Sequence, residues 1–68
     1  MSPHVAVEIA ADLQTEGMIR RLRRGEDRVV VELVLADGSR GTARLTPDEA
    51  DWLELRTGDI VGVRALSA

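Results

Sequence analysis

The chain has 68 residues, 44% of them apolar, and a net charge of −3 from 9 basic and 12 acidic side chains. That is apolar surface enough for one small globular domain, which excludes general disorder, yet a chain this short buries only about 60% of its unfolded surface on folding. With no Cys and a single His, disulfides and structural zinc are excluded as staples, so a partner surface, on another copy or another domain, is expected to contribute.

In chain order, Val5, Val7 and Ile9 alternate with other residues between Ser2 and Ala11, which predicts a short strand preceded by a frayed lead-in over residues 1–6. Asp12 to Glu16 is polar and reads as a loop. Met18 to Arg24 follows Gly17. Strict alternation there puts Met18, Arg20, Leu22 and Arg24 on one face and Ile19, Arg21 and Arg23 on the other. Neither face is cleanly apolar, as in an edge strand or a strand leaving its sheet. Gly25-Glu26-Asp27 is a turn signal.

Arg28 to Ala36 is the strongest strand. Val29, Val31, Leu33 and Leu35 share one face, and Val30, Val34 and Ala36 make the other largely apolar, which predicts cover on both sides. Asp37-Gly38 is a hairpin signal. Ser39 to Leu45 is then the return strand, with Ala43 and Leu45 inward and Arg40, Thr42 and Arg44 outward. Thr46-Pro47-Asp48-Glu49 starts a short helix: Thr46 suits the N-cap, Pro47 the first turn, and Glu49 completes a capping box. The helix is predicted to run to about Leu55, with Ala50, Leu53 and Trp52 as its core-facing positions. Arg56 to Asp59 is a turn, in which Gly58 suits a positive φ and Asp59 can cap backbone amides. Ile60 to Arg64 is the last strand. Four strands, a short helix and a fifth strand predict an all-β fold, a small barrel spanning residues 1–68 as a single domain.

The chemistry available is sparse. His4 has no acid partner in view and Cys is absent, so no nucleophile–base pair exists and no catalytic residue, metal or cofactor is expected. The carboxylate pairs Asp48/Asp51 and Glu26/Asp27 read as helix capping and a solvated turn. The glycines are scattered, without phosphate-loop spacing. Arg20, Arg21, Arg23, Arg24 and Arg28 form the one local charge anomaly. It reads either as a site for an anion or an acidic partner, or as a solvated edge whose charges prevent pairing with another sheet. Trp52, the only aromatic residue, is core or partner-interface packing, and a lone aromatic in an acidic chain argues against nucleic acid as a ligand. No apolar run approaches the roughly 18 residues of a membrane span, the first residues lack the pattern of a secretory signal, and the lack of Cys fits a reducing compartment.

The runs Val29–Leu33, Leu35–Gly38, Leu45–Ala50 and Leu53–Arg64 together resemble the TOBE, or transport-associated OB, domain. The resemblance covers about residues 3–66, is most specific from Leu45 to Arg64, and is nearest to the C-terminal domain of sulfate/thiosulfate-type ABC importer ATPase subunits. It implies a five-stranded OB-like barrel with a helix plugging one end. It also implies a non-catalytic accessory or regulatory role through contact with an ATPase nucleotide-binding domain or another copy. The location it implies is cytoplasmic, peripheral at the inner face of the cell membrane and tied to the membrane only through the transporter. Trp52, the outer face of Arg28 to Ala36 and the Arg20–Arg24 stripe are then candidate contact surfaces. A sister group, the molybdate-binding Mop domain, holds oxyanions between subunits and gives the alternative: a small oligomeric protein binding molybdate or sulfate. The Mop signature Ser-Ala-Arg-Asn corresponds here to Ala10-Ala11-Asp12-Leu13, so a carboxylate stands where a hydroxyl and a guanidinium would serve an anion. Thr46, Ser67 and backbone amides are the remaining donors.

Overall fold

The computed structural model describes residues 5–9 and 15–66. The strands are β1 (Val5–Ile9), β2 (Thr15–Arg24), β3 (Val29–Leu35), β4 (Arg40–Leu45) and β5 (Ile60–Ala65), with one helix, α1 (Pro47–Leu53), before the last. They close into a barrel in the order β1-β4-β3-β2-β5. The fold is all-β, a five-stranded OB-like barrel with a single short helix. Neighbouring strands run antiparallel except β1 and β4, which are parallel and pair only through Val5 with Gly41 and Ala6 with Thr42. Val5 and Ala6, expected in the lead-in, are therefore the first residues of a closing strand.

The barrel interior follows from alternation. Val29, Val31 and Leu33 of β3, Ala43 of β4, Val7 of β1 and Val63 of β5 point inward and are buried, together with Ile19 of β2 and Ala50 of α1. Burying such side chains is worth roughly 1.5–3 kcal/mol each for the larger ones. Gly17 and Gly41 also face inward. A Cβ on either would lie 3.2 Å from Leu35 Cδ2, and one on Gly41 would also lie 3.3 Å from both Val7 γ-carbons. Leu35 thus fills room that two missing side chains leave.

Four expectations need correction. Thr15 and Glu16, read as loop, begin β2; the rest of that loop lies outside the described residues. β2 is not an edge strand but pairs with β5 on one side and β3 on the other. Its register shifts between Ile19 and Arg21, so Arg20 is the extra residue of a β-bulge. The bulge changes the phase: Ile19 and, three residues on, Leu22 both face the interior, which strict alternation had put on opposite faces. The outward side of β3 is not covered by another layer; Val30, Glu32 and Val34 are half-exposed.

The β3–β4 connection closes through the Leu35 amide donating to the Ser39 carbonyl and the Gly38 amide to the Leu35 carbonyl, with Gly38 at φ 88°. This is a three-residue hairpin loop with glycine in the left-handed position. α1 has the expected capping box: Thr46 Oγ1 accepts from the Glu49 amide at 3.1 Å and Glu49 Oε1 accepts from the Thr46 amide at 3.1 Å. It ends at Leu53, because Glu54 adopts φ 52°. A seven-residue helix has too little intrinsic stability to stand alone. The cap and Ala50, inserted in the core cluster, hold it against the barrel.

Candidate functional site

Two surfaces carry what chemistry the barrel offers. The first is the outer face of β2, β3 and β4. Cross-strand register sets three rows there: Met18–Val34–Arg40, Arg21–Glu32–Thr42 and Arg23–Val30–Arg44. The bulge adds Arg20 beside Arg21, both exposed. Five guanidinium groups therefore share these rows with one carboxylate, in a chain whose net charge is negative. Arg23 Nε lies 3.4 Å from Glu32 Oε2. A hollow of about 240 Å³ opens between Arg20, Arg21 and Arg40, with Glu32, Leu33 and Gly41 as its remaining lining.

The predicted arginine stripe is thus divided. Arg20 and Arg21 border the hollow, and Arg23 is tied to Glu32. Arg24 is turned to the helix, where Nη1 donates to Asp51 Oδ1 at 3.1 Å. Arg28 stands beside its neighbour Asp27, 4.0 Å away at the turn. Arg40 and Arg44 join the face instead. The signal that places them is the Asp37-Gly38 hairpin, whose register sets β4 opposite β3; sequence distance hides it.

The second surface is apolar. Trp52 on α1 is 83% exposed, not part of the core, while Ala50 is buried and Leu53 half-buried. The reason is helical spacing: a seven-residue helix sealed at Ala50 presents position 52, two residues on, to the opposite side. Leu66 is 50% exposed. It borders a groove of about 570 Å³ between β1 and β4, lined by Ala6–Ile9, Thr42–Leu45 and Glu49. The groove opens where the short parallel pairing of β1 and β4 ends. Met18 and Ile60 are exposed on the side of β2 and β5.

Gly58 has φ 95°, and its amide donates to the Ile19 carbonyl at 2.7 Å. Asp59 Oδ2 accepts from the Arg56 amide at 3.0 Å, and the Asp59 carbonyl accepts from the Ile19 amide at 2.9 Å. This turn fastens β5 to β2 just before the bulge. Thr46 Oγ1 is engaged with Glu49 in the cap, and Ala10–Leu13 and Ser67 lie outside the described residues. Among the described residues no three His, Cys, Asp or Glu side chains are placed to hold a metal ion. No helix among the described residues is long and apolar enough to cross a membrane.

This barrel has a counterpart of known structure. The chain is similar to MopII from Clostridium pasteurianum. The likeness has a TM-score of 0.70 at 23% identity and covers 88% of each chain. It shows a Mop/TOBE-like fold. No protein-family model matches the sequence, and no curated protein matches it. Gly17 is held by packing: Leu35, Leu33 and Val63 approach within 3.2–3.4 Å of where a Cβ would be.

Proposed function

We propose that this protein is a non-catalytic, cytoplasmic Mop-type module that associates with copies of itself and takes up an oxyanion where the barrels meet. Trp52 carries the reading. Among the described residues eight apolar side chains are buried in the core, yet the largest apolar side chain, Trp52, stands on the surface of a capped helix. Exposed aromatic side chains of this kind are characteristic anchors of protein contacts. The resemblance of the sequence to the Mop domain, which holds oxyanions between subunits, points to copies of the barrel as the partner.

Trp52 is the only aromatic residue, so its fluorescence reports this contact without interference. Light scattering after size exclusion at micromolar protein is expected to give a multiple of the monomer mass. Trp52 emission should shift to the blue as concentration rises, and Trp52→Ala should return a folded monomer. Adding molybdate or sulfate should favour the assembly. A monomeric mass with an unchanging emission spectrum at all concentrations, with and without oxyanion, overturns the reading.

A second reading is favoured by the run from Leu45 to Arg64, which resembles the accessory domain of sulfate-type ABC importer ATPases. There the Trp52 surface meets a nucleotide-binding domain. That reading expects a monomer in isolation whose Trp52 emission shifts only when an ATPase subunit is added.

A further inference from the structure

We propose that the hollow between Arg20, Arg21 and Arg40 is a binding site on the single barrel for a compact, doubly charged oxyanion group of the sulfate or phosphate type. The inference does not rest on self-association, because every residue in it belongs to β2, β3 and β4 of one chain.

The bulge in β2 creates the hollow's charge. In a regular strand Arg20 and Arg21 would point to opposite faces. The extra residue turns both outward on the same side. Arg40 reaches the same hollow from β4, because its register partner Val34 is two residues from Glu32 on β3. Three planar guanidinium forks thus border one opening of about 240 Å³, a size for a small tetrahedral anion and not for an extended chain.

Charge makes the hollow an anion site. Among the described residues, Arg20, Arg21 and Arg40 have no carboxylate within ion-pair distance. The one acid at the hollow, Glu32, is already held by Arg23 at 3.4 Å and is shared by the whole face. Five like charges within three adjacent rows repel one another, and an incoming dianion relieves that repulsion while accepting charge-assisted hydrogen bonds. The row above the hollow carries Met18 and Val34 beside Arg40, and the row below adds Arg23 and Arg44 on either side of Val30 to the positive field. The face has no aromatic side chain on which a base could stack, which sets nucleic acid aside.

The test is a residue-resolved NMR titration of the whole chain with sodium sulfate and, separately, sodium phosphate, each against sodium chloride at matched ionic strength. A parallel titration uses an otherwise neutral peptide carrying one phosphoserine, to tell a free anion from the same group on a chain. Saturable shifts at the amides and guanidinium Nε–H of Arg20, Arg21 and Arg40 are expected. The Arg21→Gln/Arg40→Gln double variant should bind about tenfold or more weakly, as loss of charge-assisted hydrogen bonds requires. Arg40→Gln alone, on an exposed position, serves if the double variant does not fold. Glu32→Gln should bind more tightly, because it removes the carboxylate and frees Arg23; a merely structural role for Glu32 would not produce that gain. Response to the peptide alone would keep the site and assign its ligand to a phosphorylated chain. Shifts that only follow chloride, or that cluster at Thr15–Gly17 or Thr46–Glu49 and survive the arginine substitutions, overturn the proposal. The second pattern would leave the oxyanion of the self-association reading intact.

Discussion

At the scale of single residues, one non-glycine position among those described is held against its own backbone preference. Glu54 ends α1 at φ 52°, ψ 45°, a left-handed conformation that costs a residue with a Cβ about 1 kcal/mol or more. It also places a negative charge at the negative end of the helix dipole. Glu54→Gly is therefore expected to stabilise the fold by roughly 0.5–1 kcal/mol, read as a higher denaturant midpoint at unchanged slope. Asp37 is perturbed for a different reason. The Ser39 hydroxyl donates to its Oδ1 at 2.6 Å and the Ser39 amide at 2.9 Å. These bonds, the hydroxyl first, hold the Asp37 carboxyl below its usual 3.8. A pKa lowered by folding contributes stability that is present above the unfolded value and is lost as pH falls through the folded one. Ser39→Ala should therefore raise the Asp37 pKa towards 3.8 in a carboxyl-detected NMR titration and shrink the loss of stability below that pH. An unchanged pKa would mean that the hydroxyl bond is not the main cause.

At the scale of elements, α1 and β2 show how local signals and tertiary pairing divide the work. The capping box was legible because its bonds join residues three apart, Thr46 and Glu49. Thr46→Ala removes the acceptor of the Glu49 amide and should cost about 1 kcal/mol in denaturant unfolding. A smaller cost, within a few tenths, would show that packing of Ala50 alone holds the helix. β2 was the least legible element. Its pattern Ile19-Arg20-Arg21-Leu22 fits neither period two nor a helix, and read as strict alternation it mixes charge into both faces. Pairing resolves it: β3 accepts Ile19 opposite Leu33 and Leu22 opposite Val31, both inward, and the surplus residue bulges. The same event places Arg20 and Arg21 on the basic face, so the candidate site was hidden for the same reason as the strand's inner face. Of the two placements the sequence left open for Trp52, core or partner interface, the helix removes the core: it is too short to bury more than Ala50 fully, and the capped end fixes which side that is.

At the scale of the whole molecule, closure depends on β1. Five residues pair with β5 through Val7, Glu8 and Ile9 and with β4 through Val5 and Ala6, and the Leu66 amide donates to the Ala6 carbonyl at 2.9 Å. Arg64 of β5 adds an ion pair to Glu8. Without β1, two strand edges would lose their partner and Val7 would leave the core. Removing residues 1–9 should therefore abolish the cooperative thermal transition seen by circular dichroism, and a peptide of Val5–Ile9 should restore part of it. A truncated chain that melts as cooperatively as the intact one would show that four strands suffice.

The sequence by itself determined the class, the strand count, the hairpin after β3, the cap of α1 and the inward residues of β3 and β4. Each of these rests on interactions between residues close in the chain or on a period that one strand states alone. Tertiary structure decided what joins distant segments: that β1 lies parallel to β4 and closes the barrel, that β2 is an interior strand with a bulge, that Trp52 is left outside, and that Arg40 and Arg44 stand beside Arg20, Arg21 and Arg23. Register between strands fixes those neighbours. It is set by the barrel's demand that every interior position be filled and every backbone edge paired, a condition that no local stretch of sequence expresses.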